Sequence, residues 1–234
     1  ISNLWIMSFQ HVLLNSRAKY VENFVDNHER AMSKWRLHKV KFVCRSYQIT
    51  NTERMFSTIL KKKLSNNQVA NVFINAIFDS VDSGWKEIAL LINEDPAFIE
   101  SPNLSEEDSG LFGLIIIVGN LSFLESTFDN HQVVNIERII FQKLSKIYGV
   151  TESQFQDLIR EYQSFIKRVN RPSKNMVYGM SKAVFHKYNL NEFQDEYFKR
   201  LQNPNPLFLK RMDEVMKFYI WNWDAFLKKY KINS

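Results

Sequence analysis

At 234 residues, 45% hydrophobic and 24% charged, the chain is long and apolar enough to bury a proper core, which excludes a disordered or fibrous protein. Six glycines and five prolines leave few places for tight hairpin turns, which argues against a β-sandwich or barrel. The net charge of +6 is compatible with an anionic partner, and the lone Cys44 excludes an internal disulfide. Cys44 reads as a small buried apolar residue in a reducing, cytoplasmic setting.

Residues 4–14 are apolar but have no basic stretch before them and no small-residue cleavage site after them, so they read as a helix rather than a secretory signal. A second helix starts near Ser16, with Val21, Phe24, Val25, His28, Met32 and Trp35 recurring at steps of three and four. Across 37–49, Val40, Phe42 and Cys44 alternate as a strand would, whereas Val40, Val43 and Tyr47 fit a helix; we take helix. Thr50 or Asn51 caps a helix ending near Lys63, Ser65 or Asn66 caps another ending near Ser80, and Ser83 opens a shorter one that Pro96 ends. Ser105 with Asp108 resembles a capping box for a helix reaching Ser126. Inside it lies the most apolar run, 111–124, interrupted by Gly113, Gly119, Asn120 and Ser122. That run falls short of the roughly 20 residues a bilayer requires, so we expect a buried core helix and no transmembrane span.

The next pair carries the clearest signals. From Asn130, the residues Val133, Ile136, Ile139, Ile140, Leu144 and Ile147 share one side of a helix that Gly149 ends in a left-handed cap. Thr151 with Gln154 forms a second capping box, after which Phe155, Leu158, Ile159, Tyr162, Phe165 and Ile166 continue at helical spacing. After Pro172 a helix runs from Ser173 to near Tyr188, Asn191 caps another to near Gln202, and Pro204 and Pro206 mark a turn before a last helix ending near Tyr230. The predicted fold is all-α: one compact domain, 1–234, of about ten helices with short connections. Position 102 is the point of subdivision if there are two helical units, 1–102 and 103–234.

Between 105 and 167, the series Leu111, Phe112, Leu114, Gly119, Leu121, an acidic turn, Glu137, Phe141, Leu144, Gly149 and Phe155 resembles the TerB-like helical domain of tellurite-resistance proteins, which also occurs as an appended module in other bacterial proteins. The resemblance implies a helical hairpin over this quarter of the chain and a bacterial or phage interaction module. In the turn, Asp129 is followed by Asn130 where the family has Asp-Gly, so no metal ligand set is carried over.

Charge is segregated along the chain. Residues 1–64 hold 12 Lys and Arg against 4 acids, residues 65–132 hold 1 against 11, and residues 133–234 hold 18 against 10. Two candidate interaction surfaces follow. The basic one comprises Lys39, Lys41, Arg45, Lys61, Lys62 and Lys63, expected as a solvated run able to contact a polyanion. The acidic one comprises Glu94, Asp95, Glu106, Glu107 and Asp108, a docking loop for a basic protein. Opposite charges pairing inside the fold is the alternative to both.

No phosphate-binding glycine loop, Gly-x-Ser-x-Gly elbow, His-Glu-x-x-His or Glu-x-x-His pair occurs in the sequence, so no catalytic residue, cofactor or metal is expected. Asp-Asn-His occurs twice, at 26–28 and 129–131, each followed by an acid and an arginine; Asp and Asn also favour helix starts, and we read both as caps and surface residues. The segment around Phe218, Tyr219, Trp221, Trp223, Phe226 and Tyr230 interleaves aromatics with Lys210, Arg211, Lys217, Lys228 and Lys229, as a central core helix or a lipid-surface or partner-binding one would. The expected function is a non-enzymatic helical protein-interaction module. Nucleic-acid binding through the basic N-terminal third is the first alternative, and a divergent helical enzyme or small-molecule or metal binder the second.

Overall fold

A computed structural model describes residues 61–232. The expectations placed before Lys61, including Cys44, the 37–49 stretch, the first Asp-Asn-His and the basic residues Lys39, Lys41 and Arg45, lie outside the described residues. Of the described residues, 74% are helical and 5% extended. In chain order they form β1 (Lys62–Leu64), α1 (Asn66–Asn93), a 3-10 turn (Glu106–Asp108), α2 (Ser109–Leu121), α3 (Leu124–Thr127), α4 (Asn130–Ile147) and α5 (Glu152–Val169). Then come α6 (Met176–Lys187), a 3-10 turn (Leu190–Phe193), α7 (Glu196–Leu201), α8 (Pro206–Met216), a 3-10 turn (Lys217–Tyr219), α9 (Trp223–Lys229) and β2 (Tyr230–Ile232).

The centre of the unit is α2, in which every residue from Phe112 to Leu121 is buried. It is apolar all round because α1, α5 and α6 pack against it, leaving no solvent face for polar residues. By length and composition 106–127 is the candidate span for a bilayer among the described residues, yet it is three short helical pieces, and 61% of its most apolar window is buried inside the unit. It is a core helix. Gly119 sits where α2 meets α6: a Cβ there would collide with the sulfur of Met180.

Capping decides most helix ends. Ser65 with Gln68 and Thr151 with Gln154 form reciprocal capping boxes, and Ser105 with Asp108 forms one ahead of α2. At the end of α4, Gly149 has φ 66°, its N–H donates to Lys146 O at 3.3 Å, and Val150 N–H donates to Ser145 O at 3.0 Å, which is the Schellman arrangement. The hairpin of α4 and α5 follows from that turn.

Several expectations are corrected. The two helices predicted on either side of Ser83 are one helix, α1, because the apolar stripe from Val69 to Ile92 is continuous and the Ser83 hydroxyl donates to Asp79 O at 2.6 Å instead of capping a new start. Helix α6 begins at Met176 behind an Asn175 cap, and Asp195 rather than Asn191 caps α7. The predicted last helix is broken between α8 and α9, and the ten-helix layout is not reproduced. Lys61, Lys62 and Lys63 do not end a helix: Lys62 and Lys63 lie in β1, which pairs in parallel with β2, Lys62 opposite Tyr230, Lys63 opposite Lys231 and Leu64 opposite Ile232. Across position 102 the chain is tied to α1. Asn93 donates to Leu104 O at 2.9 Å and accepts from Leu104 N at 2.8 Å, and the Trp85 indole donates to Ser105 O at 2.8 Å.

Candidate functional site

The break between α8 and α9 creates the most distinctive surface. Asn120, fully buried on α2, donates through Nδ2 to Ile116 O at 2.9 Å and to Tyr219 O at 2.8 Å, and its Oδ1 accepts from Trp221 N at 2.7 Å. One amide thus holds the chain against the core where the 3-10 turn ending at Tyr219 gives way to extended Ile220, and Asn222 starts α9 by accepting from Ala225 N at 2.8 Å. Below, Trp223 stacks on Phe73 at 5.5 Å and meets Phe128 edge-on at 4.9 Å, anchoring α9 to α1. The indole N–H groups of Trp221 and Trp223 are both buried without an acceptor.

Between α1 and this segment runs an open groove of about 490 Å³. One wall is the α1 stripe Val72, Ala76 and Ser80, at successive steps of four; the other is residues 218–222 with Ala225, Phe226, Lys229 and Tyr230. Small side chains at Ala76, Ser80 and Ala225 keep it open, and at its lip Phe218 is 86% exposed. Phe218 thereby extends the apolar surface of the groove into solvent.

One end of the groove is basic. Lys229 and Tyr230 line it, and Tyr230 pairs with Lys62. The β1–β2 pairing and α9 therefore gather Lys61, Lys62, Lys63, Lys228, Lys229 and Lys231, all exposed, from the two ends of the described residues. Lys61 is partly committed, since its ammonium donates to Leu227 O at 2.7 Å near the end of α9. Lys63 and Lys231 pair on the strand face opposite to the one that Lys62 shares with Tyr230, so they point away from the face that lines the groove.

The predicted acidic surface is largely engaged in the fold. Asp95 is corrected outright: its side chain is 1% exposed and bonded by Arg211, Nε to Oδ2 at 2.7 Å, and it also accepts from Ala97 N at 2.9 Å. It cannot dock a partner. Glu94, exposed, caps α1, Glu106 lies 3.3 Å from Lys86, and the Asp108 carboxylate accepts from Ser105 N and Oγ at 2.7 and 2.8 Å. Glu107 is exposed on the same turn. The Asp129 carboxylate accepts from Gln132 N at 2.9 Å as the cap of α4, and His131 is exposed beside Asn135. No group of three His, Cys, Asp or Glu side chains among the described residues is placed to hold a metal.

A second cleft of about 530 Å³ is lined by Tyr178, Lys182, Lys210, Asp213, Glu214 and Lys217, where the opposite charges offset one another. Burial pushes the Asp213 carboxyl up from its ordinary value, opposed by the neighbouring Ser181 and Lys217, and its Oδ1 is buried without a hydrogen-bond partner. The groove and its lysines were not legible in sequence as one site; the interleaving of aromatic and lysine residues after Phe208 was the available signal. No protein-family model, curated protein or solved structure matches the chain.

Proposed function

We propose that residues 61–232 act as a non-enzymatic protein-interaction module that receives a partner polypeptide in the groove between α1 and α9. The observation that supports it is the groove itself, an apolar channel with small residues on both walls and Phe218 unpartnered at its lip. A concave channel takes a ridge from a partner, whereas a bilayer surface favours a protruding apolar ridge. The test is site-specific photo-crosslinking in the native host, with a photoreactive phenylalanine analogue at position 218. A discrete protein adduct should form there, should be lost when Ala76→Arg fills the groove, and should not form from the exposed Tyr197 position. Equal adducts from both positions, or none at 218, would refute the reading.

A further inference from the structure

We infer that the hairpin of α5 and α6, which contributes nothing to the groove, binds the phosphate backbone of a nucleic acid. From 162 to 191 the chain carries Lys167, Arg168, Arg171, Lys174, Lys182 and Lys187, together with His186, and not one Asp or Glu. The acids on either side are engaged: Glu161 lies 3.8 Å from Lys187 and Glu192 lies 3.3 Å from Lys199. Lys167, Arg168, Arg171 and Lys174 are exposed, and of the six cations only Lys187 pairs with an acid among the described residues. The helix dipoles account for cations in the last turns, Lys167 and Arg168 on α5 and His186 and Lys187 on α6. They account neither for Arg171, Lys174 and Lys182 nor for the missing carboxylates.

Aromatic rings set these cations in place. The Arg168 guanidinium lies 5.3 Å and the Lys187 ammonium 4.9 Å from the centre of the Phe165 ring, and the His186 ring meets Phe165 edge-on at 6.4 Å. Along α6, at steps of four from His186, the Lys182 ammonium lies 4.8 Å from the centre of the Tyr178 ring. A ring face holds a cation without using its N–H donors, which stay available to an anion's oxygens. Burial first, then Lys182 and Arg168, hold His186 below its ordinary value, so the field of both helices converges on that imidazole. On the far side of Lys182 the second cleft, with Asp213 and Glu214, marks the edge of the patch. None of the exposed large apolar side chains of the described residues falls between 162 and 191. A protein interface needs an apolar centre and a bilayer-binding helix an apolar face, whereas a phosphate backbone is contacted by charge alone. Arg168 and Arg171 add forked donors that fit phosphate oxygens in pairs. The lysines around the β1–β2 pair are less suited, because they divide between two strand faces and Lys61 is bonded to Leu227 O.

The probe is a fluorescein-labelled oligonucleotide of about 20 nucleotides, single-stranded and as a duplex, titrated with the full chain by fluorescence anisotropy across about 50–200 mM salt. At least one form should bind, with affinity falling steeply as salt rises. The triple variant Arg168→Gln, Arg171→Gln, Lys182→Gln should lose at least about 10-fold in affinity, and its slope of log affinity against log salt should be shallower by about 2. Bound phosphate should also raise the pH at which His186 titrates, followed by NMR with His186→Gln to assign the resonance. Should the triple fail to fold by circular dichroism, Arg171→Glu with Lys174→Glu, in the exposed turn between the helices, should weaken binding in the same direction. The variant Lys62→Gln, Lys63→Gln, Lys231→Gln and the groove-filling Ala76→Arg should each leave affinity within about 2-fold. A loss in either of those controls that the hairpin variants do not show would overturn the placement and leave the reading of the groove to its own crosslinking test. No binding of either oligonucleotide, an unmoved His186 titration in the complex, or equal binding to phosphatidylserine vesicles would overturn the inference.

Discussion

Replacing Asn120 with Leu tests the one contact that builds the groove's second wall. Leu keeps the approximate shape but removes the acceptor of Trp221 N–H and the donor to Tyr219 C=O, while Ile116 C=O keeps its place in α2. Each buried backbone group left without a partner costs about 1–3 kcal/mol, so the pair costs about 2–6 kcal/mol. For a unit of this size that corresponds to a fall of about 4–24 °C in melting temperature, and the loss is a large share of the roughly 5–15 kcal/mol a domain typically holds. Asn120→Asp should be at least as damaging, because it sets a carboxylate against the Ile116 and Tyr219 carbonyls with no access to water. Urea unfolding followed by circular dichroism gives the free energies, and the Trp221 and Trp223 fluorescence reports whether the wall has loosened. If both variants melt within about 2 °C of the native protein, the Asn120 clamp does not carry the weight assigned to it.

Arg211→Met should cost about 2–4 kcal/mol by leaving the buried Asp95 carboxylate with only the Ala97 N–H. Asp95→Asn should cost less, since Arg211 is 36% exposed on its side chain and keeps water; chemical denaturation showing the reverse order would refute the argument. Gly149→Val should lower stability by about 1–2 kcal/mol purely through the left-handed backbone, since no atom lies within 4 Å of the added Cβ, and an unchanged melting temperature would refute the cap. Burial first, then Lys182 and Arg168, hold the His186 imidazole below its ordinary 6.5. The unfolded chain therefore binds the extra proton more readily, and stability should fall as pH drops through about 6.5 toward the lower folded value. In His186→Gln that pH dependence should be reduced, as a series of denaturant titrations would show.

The sequence by itself determined the all-α class, the capping boxes at Ser105 and Thr151 and the stop at Gly149, because each depends on residues within a few positions of one another. It also marked α2 as core from apolar content alone. Tertiary structure decided the rest. Ser83 looks like a helix start locally, but the continuous packing of α1 overrides it. Asp95 looks like part of an acidic loop until Arg211, 116 positions on, takes it inward. Lys61 sits 166 positions from Leu227 and bonds its carbonyl, and Asn120 reaches across 101 positions to Trp221. Periodicity and spacing carry no information about partners so distant, since what joins them is the burial of α2, α9 and the strands against one core. The groove and its lysine end exist only where that packing brings the two ends of the described residues together.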